Sequence, residues 1–212
     1  MTSDLERIST TGFLDALASP APTPGGGGAA AVMGAIGAAL LSMVANLTIG
    51  KKGLEAAEPE MRAVLAASEA LRKRCVAMVA EDAAAFDSLM SAYKQPKSND
   101  VEKAARSSAI QAGLKLATEA PLACARACAE AVRLAARAVE PCNAQVVSDV
   151  GVGVLSAWAG LRSAALNVRI NVQQIKDLVY RAAAGGELQA LLDECGPVAE
   201  AVHARVQARL GS

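Results

Sequence analysis

One stretch limits the fold of this chain more than any other. From Gly25 to Gly50 there is no charged residue; the run opens on a proline-glycine turn and closes on Lys51 and Lys52. Pro24 suits the approach to a helix start, and four successive glycines let the backbone come close to a neighbour or a ligand. Beyond them Ala, Gly, Val, Leu, Met and Ile predict a helix. Ala30, Gly34, Gly37 and Ala38 keep one side of it thin, so another helix can pack at short distance. The two lysines fall at the end where the helix dipole favours cations. A membrane span needs about 20 apolar residues, and this run is long enough. Its Ala and Gly content, and the lack of Trp or Tyr at either end, speak against that reading. The expectation is a helix surrounded by other helices, apolar all round because it is central.

The rest of the composition agrees. The chain of 212 residues is 53% hydrophobic but only 2% aromatic, so the core must be built from Ala, Val and Leu. Alanine favours helix. A net charge of zero gives no electrostatic case for nucleic acid or an anionic membrane. The five cysteines, Cys75, Cys124, Cys128, Cys142 and Cys195, include no Cys-x-x-Cys pair, and His203 is the only histidine. The reading is free buried thiols in a reducing cytoplasm, with no metal site. MTSDLERIST, polar and acidic, does not resemble a signal peptide.

Along the chain, residues 4–18 read as an amphipathic helix with Leu5, Ile8, Phe13, Leu14 and Leu17 on its apolar side. Pro59 begins a long helix to about Tyr93. Residues 94–99 form a polar loop with Ser98 or Asn99 as N-cap. A helix then runs to about Glu140, with Pro121 expected to break or kink it. Another covers Asn143 to about Ala184. Gly185-Gly186 should end it, and a last helix should run to about Leu210 with an interruption at Gly196-Pro197. No strand periodicity is evident. The fold class is all-α, a single domain over 1–212 built as a bundle of long, mostly antiparallel helices.

Two aspartates sit where this pattern calls for apolar residues. Leu71, Cys75, Met78, Phe86, Leu89 and Tyr93 recur at steps of three and four, and Asp82 falls on their stripe, whereas Glu81 points to solvent. A structural carboxylate in an ion pair or a cap is the alternative to a functional one. Asp149 is the only acid between Glu140 and Arg162, and a place near a helix start explains it without chemistry. Ser156, Asn167 and Asn171 return near the same azimuth. Asn167 lies about 27 Å further along, so one small-molecule site can hold Asp149 or Asn171 but hardly both, unless a second subunit intervenes. The glycine run lacks the P-loop spacing, yet a helix start rich in N–H groups can bind a carboxylate or a polar ring edge. Lys51 and Lys52 are either a solvated helix end or anion-binding. His203 has no catalytic setting, which leaves acid–base work to carboxylates, lysines or Tyr93.

The segments PTPGGGGAAA, SMVANLTIGKK, EDAAAF, SDVGVG and ALNVRIN together resemble the cyclodeaminase/cyclohydrolase family of folate one-carbon metabolism. That family includes the C-terminal domain of formimidoyltransferase-cyclodeaminase and stand-alone methenyltetrahydrofolate cyclohydrolases. The similarity spans about residues 10–205. It implies an all-helical homodimer, a folate site at or near the subunit interface, and no cofactor beyond the folate substrate. Asp82 matches the family's Asp-x-x-x-Phe motif, and Ser148-Asp149 its Ser-Asp pair. Gly28 stands where members often have serine. The resemblance implies a cytoplasmic hydrolase acting on a cyclic amidine, with Asp82 as base and cation stabiliser. Lys51 is then a candidate for proton transfer. The candidate substrate contacts are Gly25, Gly26, Gly27, Gly28, Asn46, Lys52, Tyr93, Asn143, Ser148 and Asp149, with Lys51 and Lys52 also candidates for the glutamate tail. Cyclodeaminase activity with release of ammonia is the alternative, and a non-catalytic helical assembly protein the reading from another class. Hydrolysis is favoured because the chain has no room for the transferase that makes the deaminase substrate.

Overall fold

The computed structural model describes residues 9–211. Leu5 and Ile8 of the first expected helix lie outside them. Six α-helices follow: α1 Thr10–Ala18, α2 Gly26–Asn46, α3 Glu58–Tyr93, α4 Asp100–Ala138, α5 Val147–Val172 and α6 Leu178–Leu210, with short 3₁₀ turns at Glu55–Ala57 and Ala144–Val146. No strand occurs among the described residues. Helices α2 to α5 form a four-helix bundle, each packed on its neighbours in sequence and α2 closed against α5. Helix α6 lies over α4 and α5. Side-chain pairings show successive helices of the bundle to be antiparallel: Ser42 meets Ser68 at 2.9 Å between α2 and α3, and Arg137 meets Glu60 at 2.7 Å between α3 and α4. Helices α4 and α6 run parallel. Lys115–Asp177, Arg126–Glu187 and Arg133–Glu194 at 2.5–2.7 Å, and then Glu140–Arg205, follow one another along both.

Small residues set the spacing, as the thin face predicts. A Cβ on Gly37 would stand 2.9 Å from the Gly153 carbonyl, and one on Gly34 2.9 Å from Cys128 Sγ. Close contact therefore replaces aromatic filling as the source of packing. All five cysteines are buried free thiols, and burial pushes the Cys75 thiol up to about 12. Phe13 is buried and Leu17 packs on the core, but Leu14 is exposed.

The centre of the bundle differs from expectation in one respect. Helix α2 packs on α3, α4 and α5, yet Ile36, Met43 and Leu47 are 38–48% exposed, so one face of it is uncovered in the protomer. Helix α2 and the segment Ala144–Val172 both have the length and hydropathy of a membrane span, and 56% of the α2 window is buried inside the bundle.

Three boundaries need correction. Pro121 neither ends nor divides α4, which continues to Ala138. Pro121 cannot bond the carbonyl four residues back; Asn171 Nδ2 donates to that Ala117 oxygen at 2.6 Å instead. Gly185-Gly186 and Gly196-Pro197 lie inside α6. Ala184, Leu188, Cys195, Ala199, Val202 and Val206 keep a buried stripe through both, and tertiary packing overrides the local preference. The actual break comes at residues 173–177. There Asp177 caps α6 by accepting from the Val179 and Tyr180 N–H groups at 3.1 and 3.0 Å. Buried Ile175 pins the turn. The expected N-cap at Asn99 is found, its side chain accepting from the Glu102 N–H at 2.9 Å.

Candidate active site

A cleft of about 440 Å³ opens where the start of α2 meets the middle of α3, with the C-terminal half of α5 closing one wall. Asp82 stands at its inner end, and Phe86, Met90 and Tyr93 follow along α3. Asn167, Asn171 and Gln174 line the opposite side. Gly25, Gly26 and Gly27 supply the third wall with backbone only.

The glycine run has a specific steric purpose. A Cβ on Gly27 would lie 2.1 Å from Asp82 Oδ1 and 2.4 Å from its Cγ, so no side chain fits there while Asp82 keeps its place. At Gly26 a Cβ would come 3.5 Å from the Asn167 amide. No side chain caps α2. Its first N–H groups are available, and Gly28 N–H donates to the Asp82 carboxylate. The positive end of a 21-residue helix is therefore aimed at an acid.

Burial nonetheless dominates Asp82 and holds its carboxyl above the ordinary aspartate range, while the Gly28 hydrogen bond acts in the opposite sense. Among the described residues no cation pairs with it. A scaffold role required a closed ion pair without an adjoining cavity. The structure has the cavity and lacks the pair. Asn167 Nδ2 donates to the Ser163 carbonyl at 3.0 Å, and Tyr93 Oη donates to Gln174 Oε1 at 3.2 Å, so both walls are held in place.

Of the residues singled out by sequence, Gly25, Gly26, Gly27, Asp82 and Tyr93 line this cleft. Gly28 is buried beneath Pro24 and Val79 and touches the site only through Asp82. The other six do not reach it within a protomer. Asn46, Lys51 and Lys52 lie at or past the far end of α2, about 30 Å from its start. Ser148 and Asp149 occupy the first turn of α5, at that same far end. Asn143 is a structural joint: its N–H donates to Thr48 Oγ1 at 3.0 Å and its Nδ2 to the Leu47 carbonyl at 3.1 Å. Lys51 beside Asp82 is thus not met in one chain. The choice between Asp149 and Asn171 is resolved for the Asn171 end. Asn167, Asn171 and Gln174 were the missed wall. Two of them share an azimuth with Asp149, and only the antiparallel pairing of α2 with α5 tells which end faces the glycines.

A helical bundle whose glycine-rich helix start and buried carboxylate share one cleft defines a class of small-molecule binding protein suited to a polar or cationic ligand. Residues 9–190 match the family described as Formiminotransferase-cyclodeaminase, and the chain belongs to it. It is 52% identical to a methenyltetrahydrofolate cyclohydrolase of Methylorubrum extorquens, over 97% of this chain and 98% of that one. It is 30% identical to the formimidoyltransferase-cyclodeaminase of Mus musculus, over 95% of this chain but only 37% of the longer mouse protein. The crystal structure of a formiminotetrahydrofolate cyclodeaminase from Thermotoga maritima superposes with a TM-score of 0.83 at 32% identity, covering 97% of both chains.

Proposed function

We propose that this protein hydrolyses 5,10-methenyltetrahydrofolate to 10-formyltetrahydrofolate, with Asp82 as the acting group. The observation that carries the reading is the buried, unpaired Asp82 carboxylate facing a cleft at the start of α2. The similarity at 52% identity, end to end, to a chain named for this activity favours hydrolysis over ring closure with loss of ammonia. The relatives named for cyclodeaminase are more distant, at 29–34% identity.

The chemistry matches the electrostatics. The bridging carbon of the substrate is part of a delocalised cation between N5 and N10. A carboxylate without a cationic partner, held away from water, stabilises that charge strongly. Water adds to the bridging carbon and Asp82 takes its proton, giving a neutral carbinolamine. Asp82 then returns the proton to N5 as the C–N5 bond breaks. The carbinolamine hydroxyl loses its own proton to solvent and becomes the formyl oxygen on N10. One water is consumed and one proton released. Burial makes Asp82 a better base than a solvated aspartate, and the arriving cation draws its pKa down again. Asn167 and Asn171 offer amide donors and acceptors to the polar edge of the ring system.

The same proposal includes a cytoplasmic homodimer that requires no metal or further cofactor and binds neither nucleic acid nor membrane. Ile36, Met43 and Leu47 on α2, with Val152, Leu155 and Leu166 on α5, are 38–67% exposed on the two adjacent helices. A partner copy across a two-fold axis is the occupant that such a face suits. With the axis perpendicular to α2, the partner's end of the helix carrying Lys51, Lys52 and Asp149 approaches this cleft. That arrangement would restore Lys51 to the reacting centre. Mixing the protein with methenyltetrahydrofolate and following the loss of its near-ultraviolet absorbance against buffer tests the activity. Loss at the buffer rate would refute it, and ammonia release from formiminotetrahydrofolate would select the alternative.

A further inference from the structure

The cleft continues past Tyr93 and Gln174 into a second compartment. This one holds about 350 Å³ and is lined by Lys97, Lys103, Arg106, Gln111 and Lys176 among others. The two compartments share a wall. Arg106 donates to the Tyr93 carbonyl through Nε and Nη2 at 3.2 and 3.0 Å, and its guanidinium lies 5.9 Å from the Tyr93 ring centroid. Gln111 Nε2 donates to the Gln174 carbonyl at 3.1 Å, while Gln111 Oε1 accepts from the Lys176 N–H at 2.7 Å. Four cations line the compartment and no acid does. Asp100 pairs with Lys103 at its edge, and the Glu102 carboxylate is taken up by the Ser98 N–H. Lys176 Nζ reaches only the Ser107 hydroxyl, at 3.3 Å.

The whole groove is therefore polarised. Asp82 lies at one end and the lysines and arginine at the other, with Tyr93 about 16 Å from Asp82 along α3. A methenyl folate has the same polarity, a cationic bridge near its head and carboxylates at its far end. Asp82 attracts the bridge and repels a carboxylate, so the tail must point toward Tyr93. On the functional reading above, we infer that Lys97, Arg106 and Lys176 bind the glutamate tail and give the enzyme a preference for folates carrying several γ-linked glutamates. Lys51 and Lys52, the earlier candidates for this task, lie at the opposite end of α2. Tyr93 is the hinge of the arrangement, with its ring against the spacer of the substrate and its carbonyl fixing Arg106.

The test compares mono- and triglutamyl substrates on the wild-type protein and on the double variant K97M/K176M. Both lysines are exposed and remote from Asp82, so folding and kcat are expected to hold. Wild type should show a KM for the triglutamate lower by roughly fivefold, the scale of a few exposed ion pairs. That advantage should shrink in high salt and fall within about twofold in the variant. Equal KM values for the two substrates in wild type, or an unchanged ratio in the variant, would overturn the assignment. Calorimetric binding of mono- and triglutamyl tetrahydrofolate reads the same contrast without turnover. Absence of turnover with a tail-dependent affinity would thus defeat the hydrolase reading and keep the tail site. Turnover without tail dependence would do the reverse, and failure of either folate to bind would defeat both.

Discussion

Gly27→Ala is the perturbation whose consequence is most directly set by the structure. The added methyl would stand 2.1 Å from Asp82 Oδ1, against 3.4 Å for ordinary van der Waals contact, so the carboxylate must move by about 1.3 Å. The displaced group loses its alignment with the Gly28 N–H as well. Overpacking of this kind costs about 1–3 kcal/mol. Replacing glycine in a helix returns up to about 1 kcal/mol, so net destabilisation should be about 0–2 kcal/mol. The rate is affected more, because a misplacement of about 1 Å at a reacting group costs on the order of 100-fold. Absorbance loss of methenyltetrahydrofolate gives the rate, and thermal melting on the same sample gives the stability. The double variant G27A/D82A removes the clash. It should recover melting temperature relative to Gly27→Ala alone and recover no activity. Gly27→Ala with wild-type rate would show that the carboxylate either tolerates the shift or takes no part, and the account of the glycine run would fail.

Other expected outcomes follow from the same geometry. Because the free Asp82 carboxyl is held above the ordinary aspartate range, the acid limb of kcat/KM should lie above that range. The limb of kcat should sit lower, since the bound cation favours ionisation; superposed limbs would contradict this. The same shift makes Asp82 bind its proton more tightly folded than unfolded. Its contribution to stability is therefore greatest at low pH and declines as pH rises from the ordinary aspartate value through the raised one, a decline that pH-dependent melting should find missing in Asp82→Asn. Asn171→Ala leaves the Ala117 carbonyl without its donor and should cost about 1–3 kcal/mol, less when combined with Pro121→Ala, which restores a main-chain donor; additive effects in chemical denaturation would refute the link. Leu155→Glu places a charge on the exposed apolar face of α2 and α5 and should shift sedimentation to the monomer, with loss of turnover if the partner completes the cleft; an unchanged sedimentation coefficient would move the interface elsewhere.

The parts of this molecule that were legible from sequence are those where local chemistry and tertiary packing agree. The charge-free run with its small-residue stripe is a helix that packs closely on two sides, and Asp82, set on an apolar stripe, faces a cleft. The helix boundaries after Gln173 were misread because Gly185, Gly186 and Pro197 are strong local breakers, while the turn that does form at 173–177 contains neither glycine nor proline. What ends α5 is long-range: Ile175 buried against Leu89 and Leu114, and Gln111 bridging Gln174 and Lys176. Pro121 was misjudged for a similar reason, since its compensating donor sits 50 residues away on α5. The site was half legible. The glycines, Asp82 and Tyr93 were recognised, but Lys51, Lys52, Ser148 and Asp149 lie at the wrong end of long helices. Sequence motifs carry no information about which ends of antiparallel helices meet.

The central claim is that Asp82 is a base and a preorganised charge, not only a cap on α2. Asp82→Asn keeps the volume and a hydrogen-bond acceptor for Gly28 N–H, and removes the charge and the base. Rate and melting temperature should be measured on one preparation. The account predicts a rate lower by roughly 100-fold or more, with a melting temperature unchanged or higher, because a buried carboxylate without a cationic partner is costly. A well-folded Asp82→Asn protein that consumes methenyltetrahydrofolate at the wild-type rate would contradict it.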